Sequence, residues 1–151
     1  MENYKNILVV VDPTTDDQKA LKRAHHIASL TGGDLTVFLS IFDFSYEMTT
    51  MLSSEEREAM RNSVINDRTD WIINLIKKSI YGAEENITVK VVWHNRPYEA
   101  IIGEVIENNF DLIVKATHEH DLLKSVIFTP TDWHLLRKSP VPVLLVKEHS
   151  W

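Results

Sequence analysis

Short runs of β-branched and apolar residues alternate with helix-periodic segments from one end of this chain to the other, and few folds accept that order. Ile7-Leu8-Val9-Val10-Val11 is apolar at every position, the pattern of a strand buried on both faces. Asp12-Pro13-Thr14-Thr15-Asp16 breaks the run and offers helix caps. Ala20, Leu21, Ala24, Ile27, Ala28 and Thr31 recur at helical spacing, and Gly32-Gly33 supplies a stop. Leu35 to Ile41 reads as a second buried strand, and residues 42–53 as a loop without a clear period. Ser53 with Glu56 is a capping-box pair. It predicts a long helix reaching roughly Tyr81, with Met60, Val64, Trp71, Ile72, Leu75 and Ile80 as its buried stripe. Ile87 to Trp93 is a third strand, and Arg96-Pro97 opens another helix with Ile101, Val105 and Ile106 on its apolar side. Leu112 to Val114 is a short fourth strand. A loop and a helix through Asp132 to Lys138 lead to the last strand, Val141 to Val146.

Strand and helix alternate as βαβαβαβαβ, which argues for the α/β class: a parallel sheet covered by helices on both faces. With right-handed crossovers the natural solution is a doubly wound five-stranded parallel sheet in the order 3-2-1-4-5. The 151 residues are read as one domain, residues 1–151, with an ordinary apolar fraction of 44%. A net charge of −6 offers no general attraction to nucleic acid or anionic lipid. No apolar run is long enough to span a bilayer, and no secretory leader is visible. The absence of cysteine excludes disulfides and thiol catalysis and fits a reducing, cytoplasmic setting.

Ligands of doubly wound sheets sit beyond the carboxyl ends of the strands, at the switch point between strands 1 and 4. That edge holds Asp12, Ile41 to Asp43, and Ala116 to Asp121. His118-Glu119-His120-Asp121 reads either as a metal or acid/base loop or as a solvated polar loop. His118 and His120 on a strand would point to one side, and His134 is a further histidine on the next helix. No third distant ligand is visible, so no metal site is assigned. Arg96, after strand 3, offers a fork of donors to phosphate or carboxylate, or simply caps the next helix. Lys115 needs a partner: Asp12 is the nearest candidate by topology, or Lys115 and Arg96 together meet an anionic ligand. Phe42, Phe44, Tyr46 and Met48 either cover the sheet edge or line an apolar pocket. Ser45, Thr49 and Ser125 lack a His/Asp constellation and there is no nucleophile elbow, so no catalytic residue is assigned.

Asn6-Ile-Leu-Val-Val-Val-Asp12 resembles the first strand of the universal stress proteins, which ends in an aspartate near the adenosine site. Leu135-Leu-Arg-Lys-Ser-Pro-Val-Pro-Val143 resembles their last helix and strand, where Ser-x-x-Pro-Val recurs. Asp43-Phe-Ser-Tyr-Glu-Met-Thr-Thr50, Val92-Trp-His-Asn-Arg-Pro97 and Phe128-Thr-Pro-Thr-Asp-Trp-His-Leu-Leu-Arg-Lys138 look like the first half of the family's tandem-domain members. The resemblance implies the adenine-nucleotide alpha-hydrolase-like fold and a role in tolerance of stress such as DNA damage. It also implies pairing through the last strand, Val141 to Val146, as a homodimer or with a second domain of the same kind.

Nucleotide-binding members carry G-x-x-G-x9-G-[ST] after strand 4, because glycines let backbone N–H groups reach phosphate oxygens at a helix N-terminus. Counting back from Ser139, the glycine positions fall on Ala116, Glu119 and Thr129, and the Ser/Thr position on Pro130. Glu119 adds negative charge and Pro130 removes a donor, so ATP is not an expected cofactor. The expected function is a non-enzymatic stress-response module that pairs domains and senses an anionic or apolar small ligand. The alternatives are a nucleotide-binding protein with an altered loop and, third, an enzyme using His118 and His120.

Overall fold

The computed structural model describes residues 4–48, 51–80, 87–120, 125–127 and 129–148; the side chains of residues 46, 118–120, 125–127 and 148 lie outside the description. The elements run β1 (Asn6–Val10), α1 (Lys19–Thr31), β2 (Asp34–Ile41), α2 (Phe44–Met48), α3 (Ser54–Ser79), β3 (Ile87–Trp93), α4 (Pro97–Glu107), β4 (Leu112–His120), β5 (Ser125–Ile127), α5 (Pro130–Lys138) and β6 (Val143–Glu148). Five strands are parallel and lie in the spatial order β3-β2-β1-β4-β6, the doubly wound order expected. The sixth, β5, is short and antiparallel to the end of β4.

Alternation along the central strands divides the core between two faces. Ile7, Val9, Val37, Leu39 and Val114 face α1 and α3; Leu8, Val10, Phe38 and Ile113 face α4 and α5. The second face is closed by Ile101 and Val105 of α4 and Leu135 of α5. The first strand needs both coats, since Ile7, Leu8 and Val9 are wholly buried.

Several boundaries depart from expectation. The predicted loop 42–53 contains the short helix α2. Helix α3 starts at the predicted capping box, Ser53 and Glu56, with both reciprocal hydrogen bonds formed, but it ends at Ser79, and residue 81 falls outside the described residues. Its burial is confined to Ile72, Leu75 and Ile76, while Met60, Val64 and Trp71 are only half-buried. Length explains this: 26 residues of helix extend about 39 Å, while the seven residues of β3 cover about 23 Å, so the first turns overhang the sheet. Strand β4 runs beyond the predicted Val114 to His120, which puts His118 to His120 in a strand instead of a loop. His118 pairs with Ile127 of β5 and with Glu148 of β6. One strand residue can bridge two partners only on opposite edges, so β5 lies on the β1 side, in line beyond the carboxyl end of β1. The last strand is shifted by two residues to Val143–Glu148.

The turn out of α1 depends on close backbone approach. Gly32 is left-handed at φ 68°, and the Gly33 N–H donates to Ala28 O at 3.0 Å. A Cβ on Gly33 would stand 2.5 Å from the Tyr4 carbonyl oxygen, which belongs to backbone and cannot swing away. Gly33→Ala is therefore expected to destabilise the fold by about 1–3 kcal/mol, read as a lowered urea midpoint; an unchanged midpoint would show that the Tyr4 segment yields freely.

Candidate functional site

A cavity of about 300 Å³ opens at the carboxyl ends of β1 and β4, the switch point of the sheet. Val10, Leu39, Pro97 and Ile101 supply apolar wall, and Asp12, Ser40, Lys115, Thr129 and Thr131 supply polar groups. This is the low end of the size range for ligand pockets.

The loop after β1 is held by a buried side chain that the sequence does not advertise. Gln18 is fully buried. Its Oε1 accepts from the Asp12 N–H at 3.0 Å, and its Nε2 donates to the carbonyls of Asp12 and Thr15, each at 2.7 Å. The predicted aspartate caps do not cap α1, whose N-cap residue is Gln18 with no side-chain capping bond. Asp12 instead closes an Asx turn, its Oδ1 accepting from the Thr14 N–H at 2.9 Å and the Thr14 hydroxyl at 2.6 Å.

Lys115 is paired, but Asp132 takes the place expected for Asp12. Lys115 Nζ donates to Asp132 Oδ1 at 2.7 Å, with side-chain exposures of 15% and 0%. The same ammonium donates to the Ala116 carbonyl at 3.3 Å. Asp132 is the third residue of α5 and completes a capping box: Thr129 N–H donates to Asp132 Oδ2 at 2.8 Å, and Asp132 N–H donates to Thr129 Oγ1 at 3.2 Å. Both carboxylate oxygens are thus engaged. Of the four positions Thr129 to Asp132, Pro130 has no N–H and the N–H groups of Thr129 and Asp132 are committed within the cap. A helix N-terminus that could receive an anion already holds one, covalently attached to the helix itself. The pattern Thr129-Pro-Thr-Asp132 is the capping signal that could have disclosed this from sequence.

The other expected residues lie apart from this cavity. Arg96 is the N-cap residue of α4, its N–H donating to His94 Nδ1 at 2.9 Å. Its guanidinium pairs with Glu99 at 3.1 Å on an exposed surface, so it does not join Lys115 in the cavity wall. The hydrogen bond from Arg96 holds the Glu99 carboxyl below its ordinary range, and Glu99 raises Arg96 in turn. Phe42 packs edge-on against Trp93 at 5.9 Å and near Phe44 at 6.4 Å, over the ends of β2 and β3. Glu47 ties that cluster down by accepting from Trp93 Nε1 at 2.9 Å and pairing with Arg61. This is the edge-covering role, away from the switch point. For His118 and His120 only the backbone is described, in β4. Among the described residues no group of three His, Cys, Asp or Glu side chains could hold a metal ion, and no helix is long and apolar enough to cross a membrane.

Comparison with known proteins gives a consistent picture. The profile of the universal stress protein family matches residues 3–147. Universal stress protein E of Escherichia coli K12 is 56% identical over the whole of this chain, which spans 48% of that protein's length. Among solved structures, UspA from Lactobacillus plantarum superposes with a TM-score of 0.67 at 20% identity, covering 97% of this chain and 99% of its own. A universal stress protein from Archaeoglobus fulgidus in complex with dAMP gives 0.60 at 17% identity, covering 97% of this chain and 100% of its own. The last two likenesses speak for the fold alone.

Removing one member of a buried pair leaves the other charge uncompensated. Lys115→Met should therefore cost about 3–5 kcal/mol of folding stability. Lys115→Met combined with Asp132→Asn should regain most of that loss, because asparagine keeps an acceptor for the cap. Chemical denaturation of the single and double variants checks this, and additive losses would contradict the pairing.

Proposed function

The chain belongs to the universal stress protein family, and we propose that it serves there as a non-enzymatic stress-response module whose phosphate-binding loop is degenerate. The observation that carries this reading is Asp132. Its carboxylate occupies the head of α5, takes the charge of Lys115 and consumes the Thr129 N–H. A triphosphate arriving there would meet a cation already neutralised and an N–H already taken, where phosphate-binding loops present free donors. The glycine positions of the family's loop are Ala116, Glu119 and Thr129, consistent with the same conclusion. No cofactor is therefore proposed, and ATP least of all.

The remaining cavity fits a small ligand with a largely apolar body and little negative charge. Asp12, Ser40 and Thr131 supply its polar contacts, and Asp12 stands where the family's strand 1 aspartate stands. Outside the cavity, β6 pairs among the described residues only with β4, and its other edge supports pairing with a second domain of this family or a second copy. The chain's span of about half of its relative accords with that. The cytoplasm is the proposed compartment, in keeping with a cysteine-free composition.

A second reading keeps a nucleotide. The Archaeoglobus relative of the same fold is described in complex with dAMP, a monophosphate. A nucleoside or monophosphate asks less of the α5 terminus than ATP does, and the 300 Å³ cavity limits what else could enter.

Native mass spectrometry of gently purified protein, followed by denaturation to identify released molecules, separates these readings. The expected result is a protein free of ATP, either empty or carrying a weakly charged ligand. Stoichiometric ATP would overturn the degenerate-loop reading.

A further inference from the structure

Helix α2 is built inside out. A surface helix normally turns apolar side chains to the core and charges to solvent. In α2 the acid is the inward residue: the Glu47 side chain is 24% exposed, accepts from Trp93 Nε1 at 2.9 Å and pairs with Arg61. Phe44 and Met48, one turn apart on the same side of the helix, are 65% and 61% exposed. Phe42 adjoins Phe44 at 6.4 Å and is itself exposed, and Met51, just beyond the helix, is 91% exposed. Four of the ten large apolar side chains exposed among the described residues thus fall within positions 42–51. Single exposed apolar residues are ordinary, but a contiguous patch marks an interaction surface. Glu47 anchors α2 to β3 and α3, so the fold itself holds the apolar side outward.

We propose that this surface docks an amphipathic helix of a partner protein, one whose apolar stripe is flanked by lysine or arginine. Charge selects the flanks. Between residues 42 and 62 five acidic residues stand against two arginines, and one of each, Glu47 and Arg61, is already paired. That negative surround draws in a basic segment and repels an anionic lipid surface. The side chains suit the task, because aromatic rings bury a large area and methionine adapts its shape to an incoming helix. Phe44 and Met48 stand about 6 Å apart along α2, which matches apolar side chains one turn apart on the docked helix.

Position separates this surface from the pairing edge. The aromatic cluster lies over the ends of β2 and β3, at the opposite side of the sheet from β6. Four strand spacings, about 19 Å, divide β3 from β6. A domain paired on β6 therefore extends the sheet away from α2 and leaves the patch uncovered. Two copies set patch to patch would bring two acidic surrounds together, which opposes association at low salt.

The test uses the full chain and a blocked peptide of leucine and lysine at helical spacing, about 14 residues or four turns long. Two controls are a peptide of the same composition in strict alternation, which suits a strand, and a glutamate-for-lysine version. Binding is followed by fluorescence anisotropy, backbone amide shifts and light scattering. The expected result is binding of the helical peptide alone, weaker as salt rises, with shifts in the amides of Phe42 to Met48. The exposed double substitution Phe44→Ser with Met48→Ser should weaken it by roughly tenfold or more without lowering the denaturation midpoint. Glu55→Lys with Glu58→Lys should weaken it at low salt and matter less at high salt. Equal binding of the glutamate version would overturn the basic partner. Equal binding after the Phe44→Ser and Met48→Ser change, or amide shifts confined to other elements, would overturn the site. Self-association that the same double substitution removes would give the surface to a second copy and overturn the foreign helix. No binding at low salt would overturn the proposal outright.

Discussion

A lysine near the end of a central strand, 15% exposed and facing a helix terminus, has to be neutralised by something, and in this protein the neutralising group is built in. Asp132 reaches Lys115 with one oxygen and the Thr129 N–H with the other. That single carboxylate fixes the start of α5, docks α5 against β4, and satisfies a cation that would otherwise need a bound anion. Buried pairs of this kind contribute little net stability compared with apolar packing, but they are expensive to break singly. The arrangement is a commitment of the α5 terminus to the chain's own carboxylate, and the proposed loss of phosphate binding rests on it.

The rest of the switch point follows from that commitment. Pro130 stands at the first helical position, where its missing N–H costs no intrahelical hydrogen bond. Gln18 locks the loop after β1, so Asp12 is held in its Asx turn and the near wall of the cavity is set. Strand β5 lies in line with β1 beyond its carboxyl end, next to the crevice that a phosphate-binding loop would line. At the sheet's margin, β6 pairs among the described residues only with β4, beside a basic face of α1. The switch point is thus shaped by the chain's own hydrogen-bonded side chains around a cavity of about 300 Å³.

How much of this could be read from the residues depended on whether the cause was local. The apolar run Ile7 to Val11, the Ser53/Glu56 capping box, Pro97 at a helix start and Gly32-Gly33 at a helix end are local causes, and each element stands where they put it. The doubly wound order follows from alternation and crossover handedness. The failures share a different cause. The long β4 and its hairpin partner β5 depend on pairing with β6 and with each other, which no local period in Lys115 to Ile127 reveals. The overhang of α3 depends on the length of the sheet it covers. In the site, Lys115 was legible as a cation needing a partner, but which carboxylate it found was a tertiary question. Topology pointed to Asp12; the helix cap that Thr129 and Asp132 form brought Asp132 closer. Arg96 and Phe42 were drawn toward the site by their place at the sheet's edge, and the structure gives them to Glu99 and Trp93 instead.

The most direct measurement is a calorimetric titration of the protein with adenosine, AMP and ATP under one set of conditions. If Asp132 holds the phosphate position, successive phosphates add nothing, and ATP binds no more tightly than adenosine. ATP binding tighter than adenosine by tenfold or more, about 1.4 kcal/mol, would contradict it, because phosphates would then be finding donors that Asp132, Thr129 and Pro130 are held to have withdrawn.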